Sequence, residues 1–368
     1  MTLFTTMKKI FNILIGVLLI GLTTACGKSD NAMRPQTGYL LVFGDDSCRC
    51  ITYEDAPLFT LPYKNTSLFY NDIATVQDAN NKWHYIDREG EYKITGIYDK
   101  TTVFSEGMAW VIKEGDMPGA INERGDIKIS LRDTHSVRVF IEGLAAIAIV
   151  KKGKLLWGFI DKDGNEVVKP QYQAVSDFRL GLAAVQDSEG KWGYINLRGE
   201  SMIACQYEKA LTFNDKGHAI VKTPNGYYII DRKGTIIQSH AYDEMLPDKL
   251  WYMVRSGDKW GWCDETGKCV IQPAFQDIRP FGDGNLAPVK IRGKWGYIDH
   301  SGSIAIKRQF FEAYPFVDGC AAVQTGTVWG FINEKGFFIV NPQYDNVPKD
   351  YLMQSLGLGS AMNTLRIK

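Results

Sequence analysis

Lys191-Trp192-Gly193-Tyr194-Ile195-Asn196-Leu197-Arg198-Gly199 decides how this chain is read, because nearly the same words return along most of its length. Trp157-Gly158-Phe159-Ile160-Asp161, Trp295-Gly296-Tyr297-Ile298-Asp299 and Trp329-Gly330-Phe331-Ile332-Asn333 repeat its core closely. Trp83-His84-Tyr85-Ile86-Asp87 and Trp260-Gly261-Trp262-Cys263-Asp264 vary it, while Pro118-Gly119-Ala120-Ile121-Asn122 and Tyr227-Tyr228-Ile229-Ile230-Asp231 keep only its register. The eight first positions (83, 118, 157, 192, 227, 260, 295 and 329) lie 33 to 39 residues apart. Self-similarity at a period of that size is the signature of a repeat architecture.

Further features keep phase with the motif. A glycine stands three residues after each Asp or Asn (Gly90, Gly125, Gly164, Gly199, Gly234, Gly267, Gly302 and Gly336), as a hairpin turn with a left-handed residue requires. Segments such as Val168-Lys169-Pro170-Gln171-Tyr172 follow, and then small apolar strands such as Gly181-Leu182-Ala183-Ala184-Val185 introduced by Phe178. Each unit reads as strand, turn, strand, turn, strand, without helical periodicity. Only the leader and the tail from Leu352 to Leu365 offer anything helical, so the fold class is all-β.

Parity predicts how the units stack. Alternate residues of a strand face opposite sides of its sheet, so Trp192 and Tyr194 share one side and Gly193 and Ile195 the other, and neither side is polar. Burial of both faces favours a propeller-like closed ring of small antiparallel sheets over an open β-solenoid, with Gly and Ala leaving room for a neighbouring blade's Trp. A period of about 35 residues is short for a four-stranded blade, which commonly takes about 40 to 45, so three-stranded blades or mixed pairing stay open.

The run Lys-Trp-Gly-Tyr-Ile-Asp-x-x-Gly, carried at Lys191 and Lys294, resembles the bacterial WG-repeat family over roughly residues 69 to 347. That resemblance implies a β-repeat body of the kind often found on secreted proteins and lipoproteins. A fainter likeness, through Trp-x-Tyr-Ile-Asp-x-x-Gly, is to choline-binding and cell-wall-binding repeats, which are shorter.

At the N-terminus Lys8 and Lys9 precede an apolar run from Ile10 to Leu22 that ends in Thr23-Thr24-Ala25-Cys26. This pattern reads as a signal peptide; the run is shorter than the roughly 20 residues that span a bilayer. Small residues ahead of Cys26 resemble a lipobox, which implies lipidation of Cys26, although Thr23 stands where that motif usually has Leu. The expected organisation is a signal peptide (1-25), a lipidated cysteine with a flexible tether (26-37), an N-terminal β extension or cap (38-68), the WG-repeat β domain (69-347) and a C-terminal tail (348-368). The expected location is the cell envelope, lipid-anchored and periplasmic or surface-facing. Gly27, in place of an aspartate, favours the outer over the inner membrane by the same resemblance.

With 45% apolar and 12% aromatic residues the chain is no disordered protein. Its 42 basic against 42 acidic residues lack the electrostatic footprint of a nucleic-acid binder. There is no Gly-x-Ser-x-Gly, His-Glu-x-x-His, P-loop or dinucleotide fingerprint, so neither catalysis nor a cofactor is expected. Asp87, Asp161, Asp231, Asp264 and Asp299 recur in phase and read as turn caps. The histidines fall at different phases without metal-ligand spacing.

Cys263 and Cys269 flank the turn Asp264 to Lys268, where an oxidising envelope permits a disulfide, while Cys48-Arg49-Cys50 stands isolated. Trp110, Trp251 and Trp262 break register, and are candidates for ligand contact or for repacking of the core. The functional expectation is a non-catalytic scaffold for binding or assembly, chiefly protein with protein. The alternative is a glycan or cell-wall binding module.

Overall fold

The structure, a computed structural model, describes residues 71–344 except 88–89, 114–115, 282–283 and 318, together with Tyr63, residues 65–67 and five further strands. Those strands are Leu14–Leu18, Tyr39–Phe43, Cys48–Thr52, Pro57–Leu61 and Thr364–Arg366. Cys26, the tether and most of the tail lie outside the described residues. No helix occurs among the described residues. The leader and tail, where helix was an option, contribute the strands Leu14–Leu18 and Thr364–Arg366, because pairing with another strand satisfies backbone groups that an isolated short helix leaves marginal.

Nine small antiparallel sheets follow one another among the described residues: the first joins Leu14–Leu18, Tyr39–Phe43, Cys48–Thr52 and Pro57–Leu61, and the other eight are the repeat blades, each a meander in sequence order. Blade 4 is representative: Ala174–Val175, Leu182–Gln186, Trp192–Asn196 and Ser201–Tyr207. Blade 1 begins at Asn65–Thr66, blade 2 at Lys100–Thr101, blade 3 at Thr134–Arg138, blade 5 at Lys209–Ala210, blade 6 at Glu244–Pro247, blade 7 at Asp277–Ile278 and blade 8 at Glu312–Ala313. The leading strand has two residues in six of the eight, which is how four strands fit a 35-residue period. Blade 5 has only three strands, and blade 3 has a fifth, Thr364–Arg366, on its leading edge.

The two sequence motifs turn out to be one structural device. Across blade 4, Trp192 pairs with Tyr207 and Tyr194 with Ile203, so three residues of the last strand bulge opposite Gly193. The same bulge recurs at Gly158, Gly261, Gly296 and Gly330. A Cβ on Gly193 would lie 2.5 Å from the carbonyl oxygen of Ile203, and one on Gly158 would lie 2.3 Å from that of Val168. The motif glycine is therefore demanded by the backbone of its own blade, not by a neighbouring blade's Trp as the sequence suggested. Proline in Val-x-Pro-x-Tyr sits in the bulge, where its missing N–H costs no ladder bond. In blade 1 the roles reverse: buried His84 takes the motif position and Gly96 lies in the bulge.

Blade 5 has Tyr228 in place of the glycine and forms no fourth strand. The side chain of Gln238, itself buried, stands in for the missing backbone. Its Oε1 accepts from Ile229 N at 2.9 Å, and its Nε2 donates to Tyr227 O at 3.0 Å and His240 O at 2.6 Å.

Packing realises the parity argument. In blade 4, Ala183, Val185 and Ile195 face blade 3, while Leu182, Ala184 and Tyr194 face blade 5. Apolar clusters fill each of the seven interfaces from blade 1 to blade 8 in the same way. Large meets small across the central strand pair: Ala184 opposes Tyr194, Ala146 opposes Phe159 and Ala322 opposes Phe331. The far face of blade 1 carries its own buried cluster of Tyr63, Ala74, Val76 and Ile86.

The turns are as expected. Gly90, Gly125, Gly164, Gly199, Gly234, Gly267, Gly302 and Gly336 have φ between 78° and 85°. Asp161 Oδ1 accepts from the backbone N–H of Asp163 at 3.0 Å and of Asn165 at 2.8 Å, and Asp231, Asp264 and Asp299 bond their turns in the same way. Asn122, Asn196 and Asn333 make the same contacts in their units.

Candidate functional site

Function in a repeat array is most readily sought where a side chain remains accessible or where a unit departs from the pattern. The first-position aromatics are the accessible set. Trp83, Trp192, Tyr227, Trp260 and Trp329 are half-buried, whereas Trp157 and Trp295 are buried. Several carry a cation over the ring: Arg138 lies 4.7 Å from the centre of Trp157, Arg255 5.9 Å from Trp260, and Arg279 4.6 Å from Trp295 and 4.0 Å from Tyr314.

The off-register tryptophans prove to be something else. Trp110 and Trp262 have no exposed surface, which corrects their candidacy as ligand contacts. Trp110 pairs across its blade with Ala120, the one motif that lacks a large third residue, so it supplies from the neighbouring strand the ring that Ala120 omits. It stacks on Phe140 at 5.7 Å, and its Nε1 donates to Arg138 O at 2.8 Å. In regular units the third-position Tyr hydroxyl makes the equivalent bond to the next blade, Tyr194 to Leu211 O at 2.7 Å and Tyr297 to Tyr314 O at 2.9 Å. A buried indole N–H needs an acceptor just as that phenol does.

Trp262 finds its acceptor in Asp248. The carboxylate receives Trp262 Nε1 at 2.9 Å, Phe281 N at 3.2 Å and Lys249 N at 2.7 Å. Burial raises the Asp248 carboxyl above its ordinary value, and these donors act in the opposite direction. Trp251 is half-buried, edge-on to Phe281 at 5.7 Å and to His300 at 5.3 Å. His300 stacks on Phe281 at 4.2 Å, and its Nε2 is buried without a hydrogen-bond partner. Sequence reading missed Asp248; the available signal was that a Trp in a Tyr position must find an acceptor for its N–H.

Cys263 and Cys269 face each other across the hairpin, both as free thiols. Burial, then the nearby Cys269 and Asp264, pushes the Cys263 thiol up to about 12, which keeps it protonated and poorly nucleophilic at neutral pH.

A cavity of about 360 Å³ opens beside the loop that joins strands Met108–Ile112 and Gly119–Asn122. Tyr98, Val111, Met117 and Ile121 form its apolar lining, with Lys113 and Asp116 as its charged groups. Lys113 Nζ stands 5.6 Å from the Tyr98 ring. The volume lies at the small end of the ligand-pocket range. Among the described residues no three His, Cys, Asp or Glu side chains converge as a metal site, and no helix is long and apolar enough to cross a membrane.

These features define a class: an all-β repeat protein of propeller-like stacked blades, with irregular units repaired in the core. The sequence matches the family described as WG containing repeat over residues 85–115, 157–192, 192–228, 260–295, 295–326 and 329–350, together just over half of the chain. The chain belongs to the WG-repeat family. No curated protein matches it. Among solved structures it is similar to a eukaryotic initiation factor, at 11% identity and a TM-score of 0.51 over 74% of this chain and 85% of that one. It is also similar to BamB from Moraxella catarrhalis, at 11% identity and a TM-score of 0.40 over 74% of this chain and 95% of that one.

Proposed function

We propose that this protein is a lipid-anchored scaffold of the bacterial cell envelope that holds or assembles other proteins without catalysing a reaction. The observation that supports it is the treatment of irregular units. Where the pattern lapses, at Ala120, Trp262 and Tyr228, the chain restores packing and hydrogen bonds from inside, through Trp110, Asp248 and Gln238. Such repair preserves a stiff array with a broad surface, which suits a repeat protein that binds partners.

Anchoring rests on Cys26, with residues 27–37 as reach and the outer membrane as the favoured leaflet set. Cys26→Ser should abolish labelling by a palmitate analogue in cells; persistent labelling would refute the lipid anchor. A pull-down from native envelope with the anchored protein should return a defined protein partner.

Binding of glycan is the second reading, favoured by the half-buried rings of Trp192, Trp260 and Trp329 and by the Tyr98-lined cavity. Isothermal titration against envelope polysaccharides separates the two. Saturable heat that disappears in Tyr98→Ala or Trp260→Ala would carry the glycan reading over the protein scaffold.

A further inference from the structure

An edge strand displays unpaired N–H and C=O groups and invites another chain to add a strand. Among the eight repeat blades, six leading strands are two residues long, too short to receive one. Glu244–Pro247 has four residues but ends in Pro247, which offers no N–H. Thr134–Arg138, at five residues, is the longest leading strand of the repeat blades.

It is on this long edge that the chain lays its own Thr364–Arg366, antiparallel, with Arg366 opposite Ser136, Leu365 opposite Val137 and Thr364 opposite Arg138. Thr134, Ser136 and Val137 are themselves buried, so the backbone edge is what this strand presents to a partner. The docked pairs are those at Ser136, Val137 and Arg138, and on the opposite edge, toward Ala145–Lys151, the register shifts between Thr134 and Ser136.

We propose that the leading edge of Thr134–Arg138 is a strand-docking site, occupied at rest by the chain's own Thr364–Arg366 and taken over by an extended segment of a partner protein with a polar–aliphatic–basic pattern. The site deepens the scaffold reading and rests on it. Exchange is physically accessible because the resident strand has only three residues. With so few backbone pairs it is held weakly, and a longer partner strand competes by adding pairs.

The test uses the full chain and a fluorescein-labelled peptide with the sequence of residues 360–368. In Thr364→Pro/Leu365→Pro the resident strand loses at least one edge-facing N–H whichever alternation holds. Melting curves check folding, and replacement of Thr364–Arg366 by glycines is the second variant. By fluorescence anisotropy both variants should bind the peptide at least tenfold more tightly than the wild type. Amide exchange at residues 136–138 should speed up in the variants and slow again when peptide is added. Equal binding by wild type and variants, binding by none, or unchanged exchange at 136–138 overturns the proposal. In envelope pull-downs, failure of all forms to retain any protein defeats the scaffold reading itself. Identical partners retained by wild type and variants defeat the docking edge alone.

Discussion

A methyl group is enough to test the bulge. In Gly193→Ala the new Cβ meets a carbonyl oxygen at 2.5 Å, within a strand pair that cannot separate without losing its ladder. We expect a loss of about 3 kcal/mol in urea unfolding, whereas Gly153→Asn, at a positive φ in open space, should cost about 1 kcal/mol or less. Trp110 gives the complementary case. Trp110→Phe keeps most of the packing but strands the Arg138 carbonyl, for about 1–2 kcal/mol, and Trp110→Ala should cost about 3–5 kcal/mol. Trp110→Phe should leave envelope pull-downs unchanged, since the ring has no exposed surface. At this scale the rhythm of aromatic and small residues was legible in the sequence. The reason for glycine was not, because a bulge belongs to two strands at once and no single motif displays it.

The hairpin turn is the element that the sequence described best. Its Asp and Asn caps do the same work, so Asp161→Asn should fold with nearly unchanged stability at pH 7. The two caps differ in acid. The side-chain bond from Asn165, joined by backbone N–H bonds and opposed by slight burial, holds the Asp161 carboxyl below its ordinary value. The folded state therefore takes up its proton less readily than the unfolded chain, whose carboxyl titrates near about 3.9. The stabilisation is complete above that value and is lost as pH falls through the lower folded one. Urea unfolding at pH 7 and pH 3 should show a smaller acid loss for Asp161→Asn than for the wild type. The strand count was harder to read. A two-residue strand such as Ala174–Val175 leaves no alternation to detect, and its pairing with Val185 and Gln186 appears only when the sheet is assembled.

Across the whole molecule, cohesion comes from neighbour to neighbour, since each of the seven large apolar clusters joins one pair of adjacent blades. The family was legible through the resemblance of the Lys-Trp-Gly-Tyr-Ile-Asp-x-x-Gly words at Lys191 and Lys294, and the stacking of sheets with both faces covered through parity. Asp248 and Gln238 were not, because their importance lies in what another strand position of the same unit lacks. Gln238 also sets an order of failure. One flexible amide joins a few backbone bonds, Tyr227 with Tyr242 and Ile237 with Ile229, in the work that elsewhere belongs to a seven-residue strand, so the fifth blade is where a stressed array should part first, into two still-folded portions. Gln238→Leu should cost about 1–3 kcal/mol through the orphaned Ile229 N–H. Limited proteolysis of that variant should cut near residues 238–242 before any other tract, leaving a fragment on each side of the breach that resists further digestion.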